Sequence, residues 1–479
     1  MKTYIKIYPV FLACIFVASG CTLTQPVQHS PAVKTPSYFA DQTDSVGIAA
    51  MKWKSFFTDT NLVALIDTAL VNNLDLKIAV QRIEMTRANI MVSQGALLPS
   101  MNAEVSAGGR KFGDYTMDGV GNYDTNFSEN IDNDRKLPAP FLPDYFAGLR
   151  SSWEIDIWGK LKTQRKAAYS RFLATEKAKQ AVTTSLVAQV ASLYYQLINL
   201  DVELETIKKN AALQQKAVET IRIQKEGGRA NELAVKQFLA QLLNTKSLEI
   251  GINQEIIEVE NHLNLLLGRF PQAITRSNHF KQPFPEQIQA GIPTQMLRRR
   301  PDIQQAELEM LSYYSDQQAA RLALLPSLNI TALLGFNAFK GNLIFNPGSL
   351  AYNALGGLAA PVLNRKALKA GQKKTQAASI EALFTYNKAI LTGFQEVSTS
   401  LKKIENTRKV TDFKQQEVQV LQQAAVISQD LFLTGYATYL EIILAQRNVL
   451  EAELMLTRVQ KDNYLALIEL YRSLGGGWQ

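Results

Sequence analysis

The sequence predicts an α+β membrane protein built by internal tandem duplication, with four two-faced strands and very long helices in each chain. Three observations predict it. The two halves of the 479 residues align with each other, each half sets a pair of alternating strands between helical stretches, and each half closes on a proline-free heptad run. At 46% hydrophobic and 20% charged, the composition is that of a folded chain.

The chain opens with an export signal over residues 1–20. Lys2 and Lys6 precede an apolar core, Ile7 to Val17, and Ala18-Ser19-Gly20 leads into Cys21. That apolar run is too short for a retained transmembrane helix. Ala-Ser-Gly-Cys is similar to the bacterial lipobox, with Ala18 in place of the usual Leu, and makes Cys21 the expected lipidated first residue. Loss of Lys2 and Lys6 lowers the formal charge of +8 to about +6. So small an excess, with no basic block, argues against a nucleic-acid partner. Cys14 and Cys21 are the two cysteines, so the mature chain has no thiol left for disulfides or nucleophilic catalysis.

Self-comparison sets the domain plan. Asn72-Asn73-Leu74-Asp75-Leu76 aligns with Arg299-Arg300-Pro301-Asp302-Ile303 at an offset of 227, and Ala96-Leu97-Leu98-Pro99-Ser100-Met101-Asn102 falls on Ala323-Leu324-Leu325-Pro326-Ser327-Leu328-Asn329 without a gap. Asp156 to Lys160 aligns with Pro361 to Arg365 at 205, and Leu267-Gly268 with Leu474-Gly475 at 207, so the first half holds about 22 extra residues between Pro99 and Trp158.

In each half a helical stretch ends at Leu-Leu-Pro-Ser, and strict alternation follows. Met101, Ala103, Val105 and Ala107 are apolar against Asn102, Glu104 and Ser106; Leu328, Ile330, Ala332, Leu334 and Phe336 repeat the pattern. Return strands carry Leu149, Trp153 and Ile155, and Leu350, Tyr352 and Leu358. The strand pairs therefore lie within 99–157 and 326–362. Gly109 to Tyr145, rich in Gly, Asp, Asn and Pro, reads as a long solvated loop. Lys340 to Ser349 reads as a short one.

Leu186, Val190, Leu193, Leu197, Leu200, Leu204 and Ile207 then follow a 4, 3 rhythm, as do Ile442, Ala445, Val449, Ala452, Leu456 and Val459. Each helical run breaks once, at Glu226-Gly227-Gly228-Arg229 and at Thr434-Gly435-Tyr436, where glycine permits a hairpin turn. Trp158 to Glu226 amounts to roughly 100 Å of helix. Four strands cannot close a membrane barrel, since about eight are needed. The pattern therefore demands an oligomer of two, three or four chains.

Taken together, Trp53 with Phe56-Phe57 and Asp59, Asn73-Leu74-Asp75-Leu76, Trp153-Glu154-Ile155-Asp156-Ile157-Trp158-Gly159-Lys160, Gly291-Ile292-Pro293, Arg299-Arg300-Pro301-Asp302-Ile303 and Leu470-Tyr471-Arg472-Ser473-Leu474-Gly475-Gly476-Gly477-Trp478 resemble the TolC-like outer membrane factors, within them the NodT-like lipoprotein branch of RND-type efflux systems. The resemblance implies a homotrimer in the outer membrane, a 12-stranded β-barrel continuous with a periplasmic α-helical barrel. It further implies an equatorial belt, shared by the lipidated segment 21–58, a linker at 271–292 and the C-terminal end. The repeats are then 59–270 and 293–479.

By the same resemblance the hairpin turns form a periplasmic tip that gates the duct and meets a periplasmic adaptor protein, with an inner-membrane RND-type pump supplying energy. The tip residues carried over are Gly227, Gly228, Arg229, Asp430, Thr434, Gly435 and Tyr436. Trp153 and Trp158 are expected at the membrane interface, with equatorial burial the alternative for Trp158. Asp75, Asp302 and Arg298 to Arg300 read as helix-end and belt charges. Glu154 and Asp156 read as a polar lumen wall.

Catalysis finds no residue set. His29, His262 and His279 are scattered without metal-ligand spacing, and no nucleophile elbow or phosphate loop occurs. The expectation is a channel with no cofactor and no metal. A duct for secreted proteins and a pore-free coiled-coil lipoprotein are the rival readings.

Overall fold

The computed structural model describes residues 36, 48, 51–138, 141–278, 280 and 293–479. The signal 1–20, Cys21 and linker residues 281–292 lie outside the described residues. The first repeat runs through α1 (Trp53–Phe56), α2 (Thr60–Asn72), α3 (Leu74–Gly95), β1 (Ser100–Arg110), α4 (Met117–Phe127), β2 (Leu142–Ile155), α5 (Lys160–Glu226) and α6 (Glu232–Leu266). The second runs through α7 (Pro293–Arg299), α8 (Pro301–Leu322), β3 (Ser327–Ala338), β4 (Leu350–Ala359), α9 (Arg365–Thr434) and α10 (Tyr439–Ser473).

Local chemistry sets the helix starts. Asp59 accepts from the Asn61 amide to begin α2, Asn73 accepts from that of Leu76 to begin α3, and Pro301 opens α8. The strands form one antiparallel sheet in the order β1-β2-β3-β4. Its register sets Ala103 beside Leu149, Leu149 beside Leu334, and Leu334 beside Tyr352, so one face is apolar across all four strands. That face is uncovered: Val105 is 86% and Tyr352 82% exposed. The outer edges of β1 and β4 have no strand partner among the described residues.

The heptad of α5 faces the main core as its spacing predicts. Leu186, Val190, Leu197, Leu200 and Ile207 are buried there with Phe57, Tyr194, Tyr195 and Leu467, while Leu193 and Leu204 pack against them. Phe56 stacks on Tyr471 at 4.0 Å between centroids, tying α1 to α10.

The duplication extends to single contacts. Asn73 donates to the Leu266 carbonyl at 2.9 Å, and its repeat equivalent Arg300 donates to that of Ser473 at 2.9 Å. Gly268, at φ +66°, comes so close to Asn72 that an added Cβ would lie 2.6 Å from its carbonyl oxygen; Gly475, at φ +89°, bears on Arg299 at 2.7 Å. Trp153 Nε1 donates to the Leu97 carbonyl at 3.0 Å and Trp158 Nε1 to that of Pro326 at 2.7 Å. Each tryptophan thus pins one Leu-Leu-Pro-Ser corner, where helix becomes strand.

Three expectations are corrected. The segment Gly109 to Tyr145 is not one solvated loop: the strands extend to Arg110 and from Leu142, and α4 forms between them. Thr116 caps α4 by accepting from the Gly119 amide at 3.1 Å, and Tyr123 and Phe127 pair one turn apart at 4.9 Å. These local bonds outweigh the glycine content. Trp158 is not buried within the chain; it is 44% exposed, and its indole N–H donates to a carbonyl at the corner. Asp156 is not lumen wall: it lies past β2 and accepts from the Leu161 and Lys162 amides, charging the start of α5.

Gly268→Ala and Gly475→Ala are each expected to destabilise the fold by about 2 kcal/mol or more, from positive φ and backbone overlap. Gly356→Ala, where a Cβ meets nothing within 4 Å, is the neutral control. Far-UV thermal unfolding of the three variants measures the difference.

Candidate functional site

The two hairpin turns are where the chain departs most abruptly from its long helices. At the first, α5 ends in a Schellman turn. Gly228 takes φ +75°, its amide donates to Lys225 at 3.0 Å, and the Arg229 amide donates to Gln224 at 2.8 Å. Asn231 restarts the chain as α6 by accepting from the Ala234 amide at 2.9 Å. At the second, Gly435 takes φ +84° and the Tyr436 amide donates to Leu431 at 2.8 Å. Thr438 and Glu441 then form a reciprocal capping box for α10.

The structure brings these turns together. Ile221 of α5, Val235, Phe238 and Leu242 of α6, and Ile442 of α10 share one buried cluster, with Phe432 of α9 and Tyr439 packed on it. Gly227, Gly228, Arg229, Asp430, Thr434, Gly435 and Tyr436 are all exposed at this end. Tyr436 is 85% exposed. The Thr434 hydroxyl donates back to the Asp430 and Leu431 carbonyls at 3.0 Å, so it closes its own helix. Among the described residues of one chain, the Arg229 guanidinium and the Tyr436 hydroxyl have no partner.

The tie across the first turn is instead Lys225 to Glu232, at 2.6 Å, with Lys236 reaching the other Glu232 oxygen at 3.3 Å. Hydrogen bonds from Lys225, then from Lys236, hold the Glu232 carboxyl below the usual glutamate range. Sequence reading missed this triad, although a lysine seven before and another four after one glutamate is a usable signal. Trp153 and Trp158 belong to the sheet–helix corners and not to this end. Among the described residues no cluster of metal-ligating side chains occurs, and no helix is long and apolar enough to cross a membrane.

The family model described as outer membrane efflux protein matches residues 65–269 and 292–476. The chain is 27% identical over 475 residues to the cation efflux system protein CusC of Escherichia coli O6:H1, covering 97% of this chain and 98% of that one. It is 25% identical to the probable outer membrane lipoprotein SilC of Salmonella typhimurium, covering 99% of each. The fold is similar to that of the Campylobacter jejuni CmeC outer membrane channel, with a TM-score of 0.82 at 23% identity over 95% of each chain.

Because the carboxyl of Glu232 is depressed, its tie is fully present above the ordinary glutamate pKa of about 4.3 and is lost as pH falls through the lower folded value. Glu232→Gln is expected to speed amide exchange over residues 223–236 at low salt. Exchange measured by mass spectrometry should show the gap between variant and parent closing in about 1 M salt, and closing again as pH falls below the ordinary glutamate range through the lowered folded value.

Proposed function

This chain belongs to the outer membrane efflux protein family and is an outer-membrane channel component of an efflux system, and from that premise we propose that three copies form one passive exit duct. The observation that carries the proposal is a match of unpartnered edges at every level. In the sheet the free edges are β1 and β4. Beside it the helices pack in the order α3, α5, α8, α9, and toward the turns in the order α6, α5, α10, α9. One side of the chain is thus β1, α3 and α6; the other is β4 and α9.

Both sides carry apolar heptads that nothing among the described residues covers. Ile78, Met85 and Val92 of α3 are exposed, as are Leu243, Ile250 and Ile257 of α6. On α9 the matching sets are Phe384 and Leu391, then Phe413, Val420 and Ile427. Two different surfaces that complement each other make a head-to-tail contact, which forms a ring where the rotation between copies closes, as pairing of β4 with the next β1 requires. A ring of three gives twelve strands, with the apolar face in lipid and the polar face lining water.

In this reading the hairpin turns are the periplasmic gate. A periplasmic adaptor docks there, and an RND-type inner-membrane pump provides the energy. Cys21 carries the lipid, as the naming of SilC as a lipoprotein supports. The cargo is small: drugs, toxic compounds or metal ions, the last supported by the cation efflux relative.

Imaging of detergent-extracted protein should give three-fold particles about 140 Å long, roughly 100 Å of helix and 40 Å of strand. Ile250→Lys or Val420→Lys should reduce them to dissociated chains, and Cys21→Ser should leave the assembled protein membrane-bound. Compact monomers or two-fold rods from the parent protein overturn the duct.

A further inference from the structure

The four strands contain five charged residues, Glu104, Arg110, Asp144, Arg150 and Glu154. Their register puts all five on the polar face. Every one is in an ion pair: Arg110 with Asp144 at 3.6 Å, Arg150 with Glu104, and Glu154 with Lys160, the first residue of α5, at 2.6 Å. The strands β3 and β4 add no charge, and present Asn329, Thr331, Asn337 and Asn353 to the same side. The pairs recur at three levels along β2, spaced by roughly 20 and 14 Å.

The middle pair is held most closely. Gly148 and Gly335 face each other across β2 and β3, so close that a Cβ on either would come within 2.6 Å of the other's Cα. The Phe146 ring lies over this gap and is buried to 5% exposure, although it is on the polar face. The Arg150 guanidinium sits 5.2 Å from its centroid. Arg150 is therefore fixed from two directions, by an aromatic face and by the Glu104 carboxylate.

A lumen lined by one sign of charge focuses field and selects solutes by charge. We infer that the strand section of the duct is charge-balanced, passing cationic and anionic solutes alike, and that Glu104 keeps it so by masking Arg150. The inference rests on the duct reading, in which the polar face lines water. Without Glu104, Arg150 stays on Phe146 with its charge exposed to the passage. Without Arg150, Glu104 is the exposed charge.

Asn353 is the reporter position. It is exposed, uncharged, and level with Arg150 through Leu333, two strand spacings or about 10 Å away. Asn353→Cys in the assembled, membrane-embedded protein is labelled from the outside with size-matched cationic and anionic methanethiosulfonate reagents at about 10 mM salt, where screening is weak. The parent without this thiol is the blank. Glu104→Gln should shift the rate ratio toward the anionic reagent by about fourfold, the effect of one unmasked charge at that distance in water. Arg150→Gln should shift it the other way, and the double variant should restore the parent ratio. A thiol that labels well but keeps one ratio in all variants overturns the charge-balance inference and leaves the duct intact. A thiol reached by neither reagent overturns the duct reading, and the inference falls with it.

Discussion

Open strand edges are the constraint on which the rest of this structure depends. A strand in lipid has no water to satisfy its backbone, so each unpaired amide or carbonyl there costs several kcal/mol. One chain offers four strands and leaves the outer sides of β1 and β4 without partners. Closure with further copies removes both edges, and no rearrangement within a four-stranded sheet can. That demand propagates down the molecule, because α3 leads directly into β1 and α9 follows directly from β4. The helices beside the free edges must be free on the same sides, and their exposed apolar heptads agree.

The duplication explains how one sequence unit supplies both sides of this seam. Contacts formed in one half are formed again in the other, down to Asn73 on Leu266 and Arg300 on Ser473. Asn and Arg share little beyond N–H donors, so the constraint common to both repeats is a donor aimed at the carbonyl that ends the long hairpin. Arg300 does more with the position: it also forks to Asp302 and reaches Glu396 at 2.6 Å.

Strand periodicity, the heptads of α5, the glycine turns and the repeat itself were legible in the sequence, because each rests on spacing along one segment. What was not legible depends on partners distant in sequence. Trp158 and Pro326 are 168 residues apart, and no local pattern predicts that the indole N–H seeks that carbonyl. The helix α4 was hidden for another reason: the Thr116 cap and the Tyr123–Phe127 pair lie within a segment whose glycine, aspartate and asparagine content is that of a loop. At the turns the glycines and their positions were readable, whereas the ion tie depends on which lysine a turn folds back toward Glu232.

The distribution of ion pairs fixes where such a molecule can move. Around the two repeat ends the charges are shielded: Arg300 is 4% exposed and shares Glu396 with Arg472, and Arg276, at 16%, bridges Asp201 and Glu260. Removing a carboxylate from Arg300 leaves a buried guanidinium short of a partner, so these ends resist displacement more than exposed pairs do. The tie at the first turn is solvent-exposed on both sides, and water and salt screen such pairs until they contribute little. The second turn has a capping box within α10, which holds the start of that helix without binding it to α9. At the turn itself the second hairpin therefore has one ion tie fewer to break than the first. In the proposed duct, the end where Gly435 and Tyr436 lie is therefore the one held by the fewest charged ties, and the corners and repeat ends carry the more shielded contacts.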